Sequence, residues 1–295
     1  MGALKDKMIL DMKLRGYSEN TIELYTDCMT SLTKEYMISP LKLRPKQVYD
    51  FFIKLKENKA SEAYLRIFYS AITLFYKIEN KSYMTKSIHL PKRTRQIPIV
   101  MNKSEVELFL SECRSLQERT IFSTLYSSGI RGSELINLKI ADIDFERKTI
   151  FISKSKTRKQ RYTILSDQAA NLLKNYMVTY QPKDFLFYGF RNKNSHVSMR
   201  WLQASFQRIV KRAGIKKKVQ VHTFRHSFAT HLMETGNNLI YIQKLLGHTF
   251  LSSTLLYLHA DSSTFLKTIS PLESINLKYF GSFGNQYQRS FDFST

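Results

Sequence analysis

The chain has 295 residues, enough for two domains that each bury a hydrophobic core. Lys and Arg total 46 against 24 Asp and Glu, a net charge of +22; such a surplus repels itself unless an anionic partner neutralises it, which favours nucleic acid over an anionic membrane surface. No apolar run reaches the roughly 18 residues of a membrane span, Met1 to Lys13 lacks a signal-peptide core, and the two cysteines, Cys28 and Cys113, make neither a disulfide framework nor a metal cluster, so a reduced, cytoplasmic protein is expected.

The first stretch reads as a helical bundle. Leu4 to Leu14 fits one helix, and Ser18 can cap a second whose apolar positions are Ile22, Tyr25, Met29, Leu32 and Tyr36. Pro45 opens a third, with Val48, Phe51, Phe52 and Leu55 on one face, and Ser61 to Tyr76 gives a fourth. The period is lost over Lys81 to Pro98, a basic stretch with Pro91 and Pro98, which reads as a linker suited to a phosphate backbone.

A new domain begins near Asn102, which with Glu105 fits a capping box. Helices are expected over Gln117 to Ser127 and Ser133 to Leu138. Thr149 to Ser153 and Arg161 to Leu165 read as a hairpin with a basic tip. Four more helices follow: Gln168 to Tyr180, Met199 to Ala213, Thr223 to Thr235 and Asn238 to Leu246, with Gly214 and Gly236 as stops. The fold class is therefore mainly α with a small antiparallel β-sheet, and the residues after Leu277 read as a loose tail.

Three groupings could carry chemistry. Arg131, in Gly129-Ile130-Arg131-Gly132-Ser133-Glu134, stands at a helix start where a guanidinium can grip an anion. His222 and Arg225 share one helical face, so an imidazole and a guanidinium point to one spot. Leu246-Gly247-His248 is followed by Tyr257. Singly each has a plain alternative: Arg131 paired with Glu134 on a helix surface, His222 a structural histidine, Tyr257 one tyrosine of 17.

In this order and spacing the set resembles the tyrosine recombinase (phage integrase) family, nearest its two-domain Xer-like and mobile-element members, from about Leu4 to Ile275. The resemblance implies a helical, SAM-like core-binding domain over 1–85, a basic linker over 86–99, a mixed α+β catalytic domain over 100–277 and a tail over 278–295. It implies that Arg131, His222, Arg225 and His248 surround a DNA phosphate, that Glu134 braces them and that Tyr257 is the nucleophile. Lys156 matches the family's hairpin lysine, although the glycine usual after it is absent and Lys154 and Lys159 compete for the role. Lys92, Arg93, Arg95, Lys154, Lys159 and Arg161 are expected on DNA.

These residue types suit phosphodiester cleavage. Two guanidiniums can stabilise charge on the non-bridging oxygens without a metal. A histidine can take the phenol proton and a lysine can protonate the leaving oxygen. The resemblance implies site-specific cutting and rejoining of double-stranded DNA through a 3′-phosphotyrosyl intermediate, with no cofactor, metal or ATP. The resemblance further implies a tetramer on DNA, with Ser262 to Ile275 either docking on a neighbouring protomer or packing on its own domain.

Overall fold

The computed structural model describes residues 2–91, 98–153, 160–189, 192–248 and Thr254. The chain divides into two compact units, Met1–Arg95 and Gln96–Thr295.

The first unit is a bundle of α1 (Gly2–Leu14), α2 (Glu19–Tyr36), α3 (Pro45–Glu57) and α4 (Glu62–Ile78). Its starts follow the sequence signals with one variation. The Ser61 hydroxyl accepts from the Tyr64 amide, an ordinary N-cap. Ser18 takes the N-cap position of α2, but its hydroxyl pairs with that of Thr21 at 2.8 Å rather than with a helix amide. The apolar faces meet in a core of Met12, Leu32, Phe51, Phe68, Ile72 and Phe75. Packing continues beyond the point where the helical period ends: Ser82–Thr85 forms a 3₁₀ turn, and Met84 (1% exposed) and Ile88 (6%) join that core. Burying each contributes about 1.5–3 kcal/mol, enough to hold a segment that has no periodicity of its own. The expected linker residues Lys92, Arg93 and Arg95 lie outside the described residues.

The second unit opens with α5 (Lys103–Ser111), α6 (Leu116–Ser128) and α7 (Gly132–Ile136). Asn102 and Glu105 complete both bonds of the expected capping box, at 2.7 and 2.8 Å. A three-stranded antiparallel sheet follows: β1 (Ile143–Asp144), β2 (Thr149–Ile152) and β3 (Arg161–Ile164), in that spatial order, with Ile150 opposite Thr163 and Ile152 opposite Arg161. Alternation sends Ile150 and Ile152 into the core. Then come α8 (Asp167–Tyr180), a short pair of β4 (Tyr188–Gly189) and β5 (Asn192–His196), α9 (Met199–Arg212), α10 (Val221–Glu234) and α11 (Leu239–Leu246). β1 and β4, two residues each, are too short to leave an alternating pattern in the sequence, and β5 is polar at every position. At the centre Phe109, Phe122, Phe206 and Phe224 pack edge-to-face or tilted, with centroids 4.8 to 6.2 Å apart. A smaller cluster of Phe228, Ala229, Ile242 and Leu246 fixes α11 against α10.

Candidate active site

The site starts where α6 stops. Gly129 takes a left-handed conformation (φ 62°) as C-cap of α6, and a Cβ there would lie 2.2 Å from the Phe228 ring. The turn buries Ile130 and leaves Arg131 as the residue before α7. Three residues on, Glu134 reaches back: one carboxylate oxygen accepts the Arg131 amide at 2.8 Å and the other accepts the Arg131 guanidinium at 2.8 Å.

Glu134 is only 3% exposed and serves more than one cation. Arg161, the first residue of β3, donates one N–H to each of its oxygens, at 2.9 and 2.7 Å. The Arg225 guanidinium stands 3.9 Å away. Burial alone would raise the Glu134 carboxyl; the bonds and charge of Arg161, with those of Arg131, outweigh it and hold the group down at about 2. The plain alternative for Arg131, a solvent-exposed pair with Glu134, therefore fails on burial. Arg161, expected on DNA, has a side chain 8% exposed, and its Nε donates to the Leu245 carbonyl at 2.8 Å, so these three donors are engaged inside the protein.

The next two groups come from α10. The helix begins at Val221, with the Gln220 amide donating to the Thr223 hydroxyl at 3.0 Å, so His222 falls in its first turn. Phe224 is buried in the core, while His222 and Arg225 are placed one turn apart. Arg225 is 1% exposed; it donates to the Gly129 carbonyl at 2.8 Å and to the Leu246 carbonyl. His226 lies edge-on to His222, centroids 4.6 Å apart.

His248 is delivered by the end of α11. Gly247 adopts φ 64° as C-cap, and a Cβ on it would come 2.7 Å from Cδ of Arg161. Beyond it the His248 amide donates to the Gln243 carbonyl at 3.1 Å, and Nδ1 of His248 lies 2.9 Å from the Thr254 hydroxyl. Burial first, then Arg225 and Arg131, lower His222 to about 4, with Glu134 opposing. Burial followed by Arg225, Arg131, His222 and Arg161 lowers His248 to about 3. Burial, His222 and Arg225 lower His226 to about 4. Positive charge from Arg131 and Arg225 therefore reaches both His222 and His248, and both rings are neutral at pH 7.

A cavity of about 510 Å³ opens at this point, lined among others by Arg131, Ser133, Gln203, Gln220 and His222. The structure thus joins Arg131, Glu134, His222, Arg225 and His248. Lys154, Lys156, Lys159, Tyr257 and the segment Ser262 to Ile275 lie outside the described residues. Sequence reasoning noted His226 beside Arg225 but not its contact with His222, and it missed the inward turn of Arg161. The first could have been found from its spacing of four after His222, which stacks the two on one helix face. Nothing local signals the second. Among the described residues, no group of His, Cys, Asp or Glu could hold a metal ion, and no helix is long and apolar enough to cross a membrane.

The chain is similar to known proteins over most of its length. The pattern of the phage integrase family matches residues 99–264. A tyrosine recombinase of Thermosipho africanus is 34% identical over 270 residues, 85% of this chain and 93% of that one. Tyrosine recombinase XerA of Pyrococcus horikoshii is 31% identical over 250 residues, 83% and 85% of the two chains. Among solved structures, the XerH site-specific recombinase bound to palindromic difH substrate in a post-cleavage complex superposes with a TM-score of 0.64 at 26% identity, covering 80% of this chain and 74% of that one. With its family pattern, its relatives over most of its length and its clustered arginines and histidines in agreement, the chain belongs to the phage integrase family and is a Xer-like tyrosine recombinase.

Proposed function

We propose that this enzyme cuts and rejoins double-stranded DNA at a specific site through a transient 3′-phosphotyrosyl bond at Tyr257. The observation that carries the reading is the convergence on one buried carboxylate, Glu134, of Arg131 from the α6–α7 turn and Arg225 from α10, two guanidiniums distant in sequence. Two preorganised cations at one point stabilise charge that concentrates on a phosphate's non-bridging oxygens, and they do so without reorganising at the moment of reaction.

The roles follow from the chemistry of each group. The Tyr257 oxygen attacks phosphorus as the bond to the 5′ oxygen breaks. His222, neutral at working pH, accepts the phenol proton. Lys156 gives a proton to the departing 5′ oxygen. His248, with Nδ1 engaged by Thr254, turns Nε2 towards the phosphate as a hydrogen-bond donor. Religation reverses these transfers with a new 5′ hydroxyl. The phosphotyrosyl bond keeps the phosphodiester energy, so the cycle uses neither ATP nor a metal. The helical unit, the basic stretch with Lys92, Arg93 and Arg95, and the hairpin lysines Lys154 and Lys159 hold flanking phosphates. Ser262 to Ile275 links four protomers in a synapse, and the protein works in the cytoplasm.

A duplex selected from random sequence by the protein itself, nicked so that the cleaved end diffuses away, tests the reading. The enzyme should form a protein–DNA adduct that survives a denaturing gel, with EDTA present and no nucleotide added, and Tyr257→Phe should form none. Tight, sequence-selective binding with no adduct would contradict the proposal.

A further inference from the structure

We propose that Arg161 is a positioning residue for strand cleavage, locking the first strand residue after the basic loop to the site's two guanidiniums and to His248. The inference rests on the function proposed above and adds a residue to it. Arg161 places three N–H donors, one from each of its nitrogens, on two partners. Two N–H groups hold the oxygens of Glu134, at 2.9 and 2.7 Å, and Nε holds the Leu245 carbonyl at 2.8 Å. Glu134 in turn holds Arg131 by amide and guanidinium. The neighbouring carbonyl, that of Leu246, is taken by Arg225. Two arginines from separate elements thus cap the last carbonyls of α11, which no helical amide can satisfy. That capped end is the turn that presents His248, and Gly247 leaves out the side chain that would collide with the Arg161 stem.

The arrangement is costly for a purely structural tie. Burying a guanidinium against a carboxylate gains little net stability over an apolar pair. What it supplies is registry: Arg131, Arg225 and His248 take their positions from one rigid ionic node. Lysine could keep the charge but cannot bridge both carboxylate oxygens and the carbonyl at once.

Glu134 is faced by Arg131, Arg161 and Arg225, with His222 close by. Without Arg161 the effect of burial on Glu134 is less opposed, so its carboxyl rises and protonates at higher pH. Adduct formation on the nicked duplex, followed against pH, reads this directly, with binding measured in parallel. Arg161→Gln should slow adduct formation about a hundredfold at pH 7, the scale of an ångström-sized misplacement, change DNA affinity less than about threefold, and move the acid limb of the rate profile to higher pH. In the Glu134→Gln background the same change should cost little more, and the acid limb should not move, because one node is being broken twice. Arg161→Lys, the milder variant should Arg161→Gln not fold, should fall between wild type and Arg161→Gln. An equal loss of affinity and cleavage, additive effects with Glu134→Gln, an unmoved acid limb or wild-type rates in Arg161→Lys would each overturn the proposal. Failure of the wild-type enzyme to form any adduct would instead overturn the function on which it rests.

Discussion

The two units bury different things. The core of the first is almost wholly apolar: among its described residues the only polar or charged side chains buried whole are Thr26 and Thr85, beside the Tyr76 hydroxyl that donates to the Pro40 carbonyl. The second hides Glu134, Arg225, Glu118, Gln117, His231 and several hydroxyls among its apolar side chains. Apolar burial is the inexpensive way to make a stable fold, whereas buried charge must be matched bond by bond. The difference separates a unit whose interior serves stability from one whose interior also holds a site in register. Within the second unit, Glu118 sharpens the point. It too is buried, bonded to Ser205 at 2.7 Å and to the Arg114 amide at 3.1 Å, with Arg212 at 3.5 Å. Among the described residues, no histidine shares that cluster's bonds. A buried carboxylate beside arginines is thus not by itself a site; imidazoles within reach of the same charges distinguish Glu134.

Substitutions can break the contrast, and the largest effect is expected at Arg225. Arg225→Ala removes the cation from the buried node and should cut adduct formation a hundredfold or more while lowering unfolding stability by about 3–5 kcal/mol; gel kinetics and urea titration read the two. In the first unit Phe68→Ala should cost about 3–5 kcal/mol of stability yet leave the cleavage rate of DNA-bound enzyme near wild type. Equal damage to chemistry from both substitutions would erase the distinction.

Acid should separate the units more gently. His222, His226 and His248 are held at about 4, 4 and 3, below the ordinary 6.5. A lowered folded value means that the unfolded chain binds protons first. The stability from keeping these rings neutral is full above pH 6.5 and is lost as pH falls towards 3–4, at up to about 1.4 kcal/mol per pH unit for each ring. The second unit should therefore loosen before the first on acidification, seen as earlier loss of amide-exchange protection in α10 and α11 than in α4. Smallest is Ser61→Ala, which removes an N-cap bond in the first unit and should cost about 1 kcal/mol with unchanged adduct formation.

Sequence reasoning reached most of the framework because its signals are local. The Asn102–Glu105 box and Pro45 at the head of α3 each depend on side chains a few positions apart. The site was legible for a different reason: Arg131, His222, Arg225 and His248 are identified by residue type and order, which survive without knowledge of distance. What escaped depends on contacts across the fold. Arg161 looks like one more basic residue at a hairpin tip, and only the opposing Glu134 and Leu245 turn it inward. Met84 and Ile88 lie in a stretch without periodicity, and the core they join is formed by other elements. The close approach of the Gly129 and Gly247 turns to Phe228 and Arg161 is a three-dimensional fact.

The most direct test of the account is to digest the covalent protein–DNA complex and map the modified peptide by mass spectrometry. The account predicts a single nucleotide-bearing peptide, attached through the Tyr257 oxygen to a 3′ phosphate. Attachment at another residue, such as the exposed Tyr241, or through a 5′ phosphate would contradict it.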